Sequence, residues 1–172
     1  MKKFLSLVLL VVLMVCMTAC GEGVEKEVTD SNGETTTIQD TTFGLNETAV
    51  FDNLKITATD LKESNGVEYF EASEGNVYVG VKFEIENISD EDQSISSIMM
   101  FSSYVDDTAS DYSISALMAF DENGNTLDGT LAPGKKMSGY YAVETSKDWE
   151  TLEIVVKPDM IDDTKASFIF NK

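Results

Sequence analysis

The chain has 172 residues and carries 31 acidic against 12 basic side chains, which gives a formal net charge of −19. Every basic residue is Lys, and this acidic balance excludes the phosphate-neutralising surface that nucleic-acid binding requires. The sequence contains no His, which excludes Ser-His-Asp and Cys-His hydrolases and His-based metal centres, so we expect neither enzymatic activity nor a cofactor.

The first 19 residues have the three parts of a secretory signal peptide. Lys2 and Lys3 supply positive charge, an apolar run follows from Phe4 to Val15, and small residues precede Cys20. This order resembles the lipobox of bacterial lipoproteins, with Met17 in place of the usual Leu. We therefore predict cleavage before Cys20, a diacylglycerol and palmitate on this cysteine, and attachment of the protein to the membrane through that lipid.

Two other interpretations of the leader stay open. The run from Phe4 to Ala19 is shorter than the roughly 20 residues of a spanning helix, which disfavours an uncleaved anchor. A general signal peptidase could also release the protein, with Cys20 as a bystander. The second cysteine, Cys16, lies inside the leader. If Cys20 is lipidated, the mature domain therefore has no thiol for a disulfide, a metal site or nucleophilic catalysis.

Residues 20–42 are expected to comprise the lipidated cysteine and a flexible acidic tether. The stretch is rich in Gly, Thr, Ser, Asp and Glu, and its large apolar side chains are limited to Val24, Val28 and Ile38. Such a segment buries too little apolar surface to offset the entropy that ordering costs. We expect it to hold the following domain away from the bilayer.

Residues 43–172 are predicted to form one antiparallel β-sandwich of about seven or eight strands. The clearest strand runs from Val77 to Asn87, where alternating apolar and polar residues predict one buried and one exposed face. Similar alternation is found at 54–58, 137–143, 152–156 and 168–170. The run 117–120 is either a buried strand or, less favoured, a short helical turn. This all-β pattern is typical of an immunoglobulin-like sandwich.

Three residues are predicted to serve the architecture. Asn87 ends its strand, where its side chain can hydrogen-bond local backbone. Gly134 follows Pro133 in a turn that favours positive φ. Gly139 lies within a strand, which predicts a bulge or close packing against an aromatic neighbour.

Two motifs resemble a family of immunoglobulin-like lipoprotein domains of unknown function, common in Gram-positive bacteria. V-x-V-x-F-x-I-x-N spans 79–87, L-x-P-G-x-x-x-x-G spans 131–139, and a Trp149-x-x-Leu152-x-Ile154 strand follows. The resemblance covers roughly 43–172 and implies export, surface tethering and a fold similar to that of the mycobacterial immunoprotective secreted antigen. It implies no catalytic residues.

Acidic residues form a first group of candidate site residues. Asp106, Asp107 and Asp111, with the acidic run 90–92, could form a weak extracellular calcium site, because several carboxylate oxygens bind this ion. The alternative is that these carboxylates are solvated loop side chains.

Tyrosines form a second group. Tyr104 and Tyr112 flank the acidic loop, and Tyr140 is out of phase with Tyr141, so one of this pair is expected to face solvent. Tyr78 lies on the charged face of its predicted strand. Because exposed tyrosines often anchor protein contacts, Tyr104, Tyr112 and Tyr140 are candidates for an interaction surface.

The sequence therefore favours a non-enzymatic lipoprotein, anchored on the extracellular face of a Gram-positive cell membrane, that acts as a protein-interaction module. The alternative is an ion- or ligand-binding accessory lipoprotein with a weak calcium site. A hydrolase with paired carboxylates is a third hypothesis, and it requires a deep cleft with two carboxylates about 5–10 Å apart.

Overall fold

The computed structural model describes residues 24–29, 35–39, 41–121, 125–159 and 163–172, so the signal peptide and Cys20 lie outside the described residues. Within these ranges the chain forms fifteen strands and two short helices. In chain order the strands are β1 Glu25–Thr29, β2 Thr35–Gln39, β3 Thr42–Phe43, β4 Thr48–Val50, β5 Leu54–Ser64, β6 Gly66–Val67, β7 Phe70–Glu71, β8 Asn76–Asn87, β9 Gln93–Ile95, β10 Phe101–Val105, β11 Thr108–Ser110, β12 Gly129–Leu131, β13 Lys136–Ser146, β14 Thr151–Val156 and β15 Ala166–Asn171. The helices are α1 Ser97–Met100 and α2 Ile114–Met118. Neither helix has the length and apolar character that a membrane crossing requires.

Two large sheets pack into a β-sandwich, which confirms the all-β prediction. The larger sheet has the strand order β13-β8-β5-β4-β1-β2, and the smaller has β11-β10-β14-β15-β3. Neighbouring strands are antiparallel except for the parallel pair β15 and β3. The pairs β12-β9 and β6-β7 form two small additional sheets. There are more strands than expected because short strands at the turns and an N-terminal hairpin add to the main ones.

Aromatic rings join the inner faces of the two large sheets. The ring centroid of Phe83 in β8 lies 5.3 Å from that of Phe101 in β10 and 5.2 Å from that of Phe168 in β15. The ring of Phe43 is tilted by 33° against that of Phe168 at 5.3 Å, and Tyr141 stacks on Phe101 at 5.5 Å. All five side chains are buried. Edge-to-face and offset pairs of this kind contribute about 0.5–1.5 kcal/mol each beyond their buried area.

The first half of β8 is buried on both faces, although the sequence predicts one exposed face. Its residues from Val77 to Val81 are all buried, and Tyr78, expected on the exposed face, is 2 % exposed. A Cβ on Gly80 would lie 2.6 Å from the ring of Phe120, so this strand packs directly against that ring. The close aromatic packing expected at Gly139 therefore occurs at Gly80. A Cβ on Gly139 would instead lie 2.9 Å from the backbone oxygen of Asn125.

Helix α2 provides the layer that covers β8. Of the two structures considered for the run 117–120, the helical one is found, because α2 extends through Met118 and a turn follows. The hydroxyl of Ser113 accepts a hydrogen bond from the backbone N–H of Ala116 at 3.1 Å and caps the helix. Ala116 packs with Tyr78 and Ala142 in a second, smaller apolar cluster outside the main core.

The segment expected to be a flexible tether contains two strands of the larger sheet, so that prediction is wrong for the residues described. β1 lies between β4 and β2 and pairs with both. Val24, just before β1, is 1 % exposed and belongs to the main core. Lys26 also forms a 2.6 Å ion pair with Glu47. Backbone pairing and one buried valine supply stability that composition does not indicate, and the described part of the sandwich reaches back to Val24, ahead of the predicted start at residue 43.

The strand registers define two ends of the sandwich. Glu25, Val50, Lys55, Glu86 and Lys136 occupy one row across the larger sheet. We call the end beside this row, nearest to Val24, the proximal end. The distal end carries the turns at 64–76, 106–107 and 146–150.

Asn87 closes the proximal end with a buried side chain that makes four hydrogen bonds. Its Nδ2 donates to the carbonyl oxygens of Glu91 at 2.7 Å and Leu131 at 2.8 Å. Its Oδ1 accepts from the backbone N–H of Ser89 at 2.9 Å and from the Ser89 hydroxyl at 2.8 Å. Gly134, with the predicted positive φ of 66°, donates its N–H to the Asn87 carbonyl oxygen at 3.0 Å. The predicted local backbone role of Asn87 is confirmed, and its side chain also reaches β12.

Replacing Asn87 by Ala is expected to lower the free energy of unfolding by about 3 kcal/mol, because carbonyl and amide groups lose their buried partners. Urea unfolding followed by tryptophan fluorescence measures this loss. A loss below about 1 kcal/mol would contradict the role assigned to the side chain.

Asn87→Asp provides the matched control. The Asp side chain has the same shape as Asn, but its carboxyl group must stay protonated to donate to the carbonyl oxygen of Glu91 or Leu131. Burial raises the pKa of such an acid in the folded protein above its unfolded value. Its ionisation penalty is therefore absent below the unfolded pKa and grows as pH rises toward the folded pKa. Relative to the unsubstituted protein, Asn87→Asp is expected to be less destabilised at about pH 4 than at about pH 7.

Candidate functional site

The most exposed large apolar side chain in the described part of the chain is Tyr69, between β6 and β7 at the distal end. It is 88 % exposed, and its neighbours Val67 and Phe70 are 39 % and 38 % exposed. Helix α2 lies against β6 and β7 and adds Ile114, which is 67 % exposed. We call these four side chains, Val67, Tyr69, Phe70 and Ile114, the hairpin patch.

The backbone of the β6–β7 hairpin holds this patch on a fixed support. Tyr69 has a φ of 73°, a conformation that is uncommon for an aromatic residue. The backbone N–H of Ala72 donates to the carbonyl oxygen of Asn65 at 3.0 Å and closes the hairpin. The hydroxyl of buried Tyr78 donates to the carbonyl oxygen of Glu71 at 3.0 Å and ties it to β8. A strained, exposed aromatic residue on a supported turn is a reason to infer function.

Acidic side chains surround the hairpin patch. Glu68, Glu71 and Glu74 are exposed on the hairpin and the turn that follows, and Asp111 is exposed just before α2. In the same region, hydrogen bonds from Ser73 and then Asn76 lower the pKa of Glu144, so this carboxylate stays ionised. The rim therefore favours a partner that carries Lys or Arg around an apolar contact.

The sequence indicates the hairpin patch by three large apolar residues, but the turn residues on either side of them make the segment look like an ordinary loop. Val67, Tyr69 and Phe70 lie between the turn signals Asn65-Gly66 and Glu74-Gly75. Three large apolar residues in a segment too short for a core strand are typical of an exposed apolar loop.

Tyr140 and Tyr141 are both buried, so the prediction that one of this pair faces solvent is wrong, and the candidate Tyr140 offers no exposed surface. Its ring stacks on Phe120 at 5.4 Å, and its hydroxyl donates to Oδ2 of Asp60 at 2.9 Å. Burial raises the pKa of Tyr140, while the hydrogen bond from Lys62 is the main cause that lowers the pKa of Asp60. The segment that contains α2 and Phe120 covers this part of the outer face, so strand alternation alone could not indicate the burial.

The two other candidate tyrosines lie in different surroundings. Tyr104 is 37 % exposed on the outer face of the smaller sheet, in register with Glu153. Tyr112 is half-buried, its ring lies 5.1 Å from that of Tyr141, and burial raises its pKa. The structure therefore does not bring the three predicted tyrosines together into one surface.

Two aspartates of the acidic loop, Asp106 and Asp107, form the turn between β10 and β11. Asp106 and Asp107 have φ values of 48° and 62°, which Asp tolerates better than most residues. Oδ1 of Asp106 accepts hydrogen bonds from the backbone N–H groups of Glu150 at 3.0 Å and Thr151 at 2.8 Å. Asp111 is exposed. Within the described ranges no three acidic side chains are arranged to hold a metal ion, so the geometry gives the calcium hypothesis no support.

The outer face of the larger sheet contains a depression of about 210 Å³. It is lined by Glu27, Thr48, Lys55, Thr57, Glu84, Glu86 and Lys136. Lys136 lies 2.8 Å from Glu84 and 3.3 Å from Glu86, and Lys55 pairs with Glu27. The carboxylates are thus held in cross-strand ion pairs, which favours a structural role over the acid–base pair of a hydrolase.

Asp106→Ala is expected to destabilise the protein by about 1–2 kcal/mol, because it removes an acceptor for two backbone N–H groups and places Ala at positive φ. Thermal unfolding followed by circular dichroism measures the change.

Asp106→Asn is the matched control, since Asn tolerates the same φ and keeps the accepting Oδ1. It is expected to unfold within about 0.5 kcal/mol of the unsubstituted protein. Adding millimolar calcium to the unsubstituted protein tests the other role of the loop. The purely structural role of Asp106 would be contradicted if calcium raised the Tm of the unsubstituted protein, magnesium did not, and Asp106→Asn showed no such rise.

A family model described as Domain of unknown function (DUF4352) matches residues 43–166. No curated protein matches the chain. Among solved structures, yjhA of Bacillus subtilis is 18% identical with a TM-score of 0.58, over 73% of this chain and 97% of that chain. An uncharacterised β-sandwich protein of Clostridium difficile is 14% identical with a TM-score of 0.50, over 80% of this chain and 97% of that chain.

The chain is also similar to ycdA of Bacillus subtilis, which is described as a candidate lipoprotein. The identity is 17% and the TM-score 0.58, over 70% of this chain but 37% of that chain. The chain thus spans little more than a third of the length of that protein. At these identities the likenesses show a shared β-sandwich fold.

Proposed function

The chain belongs to the family described as Domain of unknown function (DUF4352), and from this premise we propose that it is a lipid-anchored envelope lipoprotein whose distal end binds a protein partner. The observation that carries the binding role is the hairpin patch, where Tyr69 is 88 % exposed. The lipobox before Cys20 supports the anchor. The likeness in fold to ycdA is in accord with it.

The hairpin patch has the chemistry of a protein-binding surface. Contiguous exposed apolar side chains on a folded protein mark interaction sites, and tyrosine is enriched among the residues that dominate binding energy. Val67 and Phe70 are paired across the hairpin next to Tyr69, and Ile114 adds apolar area on α2, which lies against the hairpin. The acidic rim selects a partner with Lys or Arg. The same rim repels anionic lipid, which favours a protein partner over a membrane.

The carboxylates of the described residues favour a binding role over an acid–base reaction. The carboxylates of Asp60, Asp106, Glu84 and Glu144 are held by Lys or by hydrogen bonds from the protein. These contacts stabilise the fold and leave these carboxylates poorly suited to acid–base chemistry. The likeness in fold to the mycobacterial antigen, which the resemblance implies, stays a prediction, and the proposed role does not depend on it.

A photo-crosslinking amino acid in place of Tyr69 is expected to trap a protein partner in the envelope of living cells. The same substitution at Tyr104, on the outer face of the smaller sheet, is the matched control and is expected to give no such product. With the trapped partner purified, Tyr69→Ser and Phe70→Ser are each expected to weaken binding by about tenfold, because each removes an aromatic contact.

Equal crosslinking at Tyr69 and Tyr104 would contradict a binding surface centred on the hairpin. Unchanged affinity of the two serine variants, with unchanged thermal unfolding, would contradict it as well.

Cys20→Ser tests the anchor separately from the partner. The variant is expected to lose palmitate labelling and to move from the membrane fraction to the medium or soluble fraction. Its sandwich should unfold at the same temperature as the released domain of the natural chain, because Cys20 precedes Val24. Continued palmitate labelling and membrane partitioning would overturn the assignment of Cys20.

A further inference from the structure

We infer that the lipid bilayer lies against the proximal end of the sandwich and that the distal end points away from it. This inference rests on the proposed lipid at Cys20. Its structural basis is the burial of Val24, only four positions after that cysteine. It replaces the expected long flexible spacer with a short link that restricts how the domain is placed.

The first residues that the structure describes are fixed by contacts on several sides. Val24 is 1 % exposed in the main core. β1 then runs between β4 and β2, with Glu25 opposite Val50 and Glu27 opposite Thr48. Lys26 pairs with Glu47 at 2.6 Å. Because β1 is an interior strand, releasing Val24 from the core would disturb two strand pairings as well.

The covalent distance between the lipid and the fold is short. An extended chain spans at most about 3.3–3.6 Å per residue, so Val24 lies within about 14 Å of Cys20. β8 has 12 residues and runs the length of the larger sheet, which at about 3.3 Å per residue is about 40 Å. A link about one third of this length keeps the proximal end at the bilayer. It is too short to let the distal end face the bilayer instead.

Charge opposes an orientation in which the domain lies flat. The proximal end carries exposed Lys135, Lys136 and Lys165 as well as the acidic run 90–92. The distal end carries exposed Lys147 and Lys172, but these are outnumbered by its exposed acids, which are Glu68, Glu71, Glu74, Asp106, Asp107, Asp148 and Glu150. An anionic bilayer therefore repels the distal end more strongly than the proximal one, so the sandwich stands upright and the hairpin patch faces outward.

Single cysteines provide the test, because the proposed lipid occupies Cys20 and removal of the leader removes Cys16. Asp90→Cys at the proximal end and Glu74→Cys at the distal end each replace one exposed acid. Each lipidated variant is labelled with a fluorophore and reconstituted in vesicles of phosphatidylcholine and phosphatidylglycerol that contain a headgroup nitroxide quencher. Quenching at position 74 is expected to be roughly fivefold weaker than at position 90, because the two positions are about a strand length apart.

A spacer of about ten Gly and Ser residues inserted between Gly23 and Val24 provides the second measurement. It should lower quenching at position 90 toward the value at position 74. Equal quenching at the two positions without the spacer, or quenching that the spacer leaves unchanged, would overturn the inference. If neither variant bound the vesicles and neither could be labelled with palmitate, the lipid anchor at Cys20 would be refuted. The inferred orientation, which rests on that anchor, would be refuted with it.

Discussion

The buried amide of Asn87 is the interaction on which the proximal half of the sandwich depends. Its two N–H donors reach Glu91 and Leu131, and its oxygen accepts twice from Ser89. One side chain thus ends β8, shapes the loop that follows and holds β12 in place. β12 in turn pairs with β9, which leads into α1 and β10. The connection from the larger to the smaller sheet therefore starts from an amide that only Asn or Gln could provide, and Gln is longer.

A second constraint comes from the layer outside β8. Most two-sheet sandwiches leave the outer faces to solvent, but here α2 and Phe120 cover Tyr78, Gly80 and Tyr140. This layer also lies against the β6–β7 hairpin. The support of the hairpin patch is therefore the same layer that buries the tyrosines, so stability and surface chemistry are linked at the distal end.

Strand alternation predicts the inner face of the sandwich well, because that face is decided by neighbours in sequence. The buried inner-face residues of the strand from Val77 to Asn87 and the turn at Gly134 are both found in the structure, although the opposite face of this strand is partly exposed to solvent only after Val81. The burial of Tyr78 and Tyr140 is not predicted, since it depends on a segment that is distant in sequence. Val24 was also missed, because a single valine among Gly and Glu becomes a core residue only when β4 and β2 pair with its strand. The hairpin patch was missed for the opposite reason, since its turn signals concealed a local apolar cluster.

The interior position of β1 has a mechanical consequence. Tension between the membrane and a partner at the distal end would enter the sandwich at Val24 and run along the axis of β1. Hydrogen bonds in an antiparallel sheet lie perpendicular to the strands, so such a pull loads the bonds to β4 and β2 in shear, all at once. Opening them one after another, as in a zipper, would need far less force. The placement of β1 thus makes the attachment point of the chain resistant to pulling, in a domain that has no disulfide to share the load if Cys20 carries lipid.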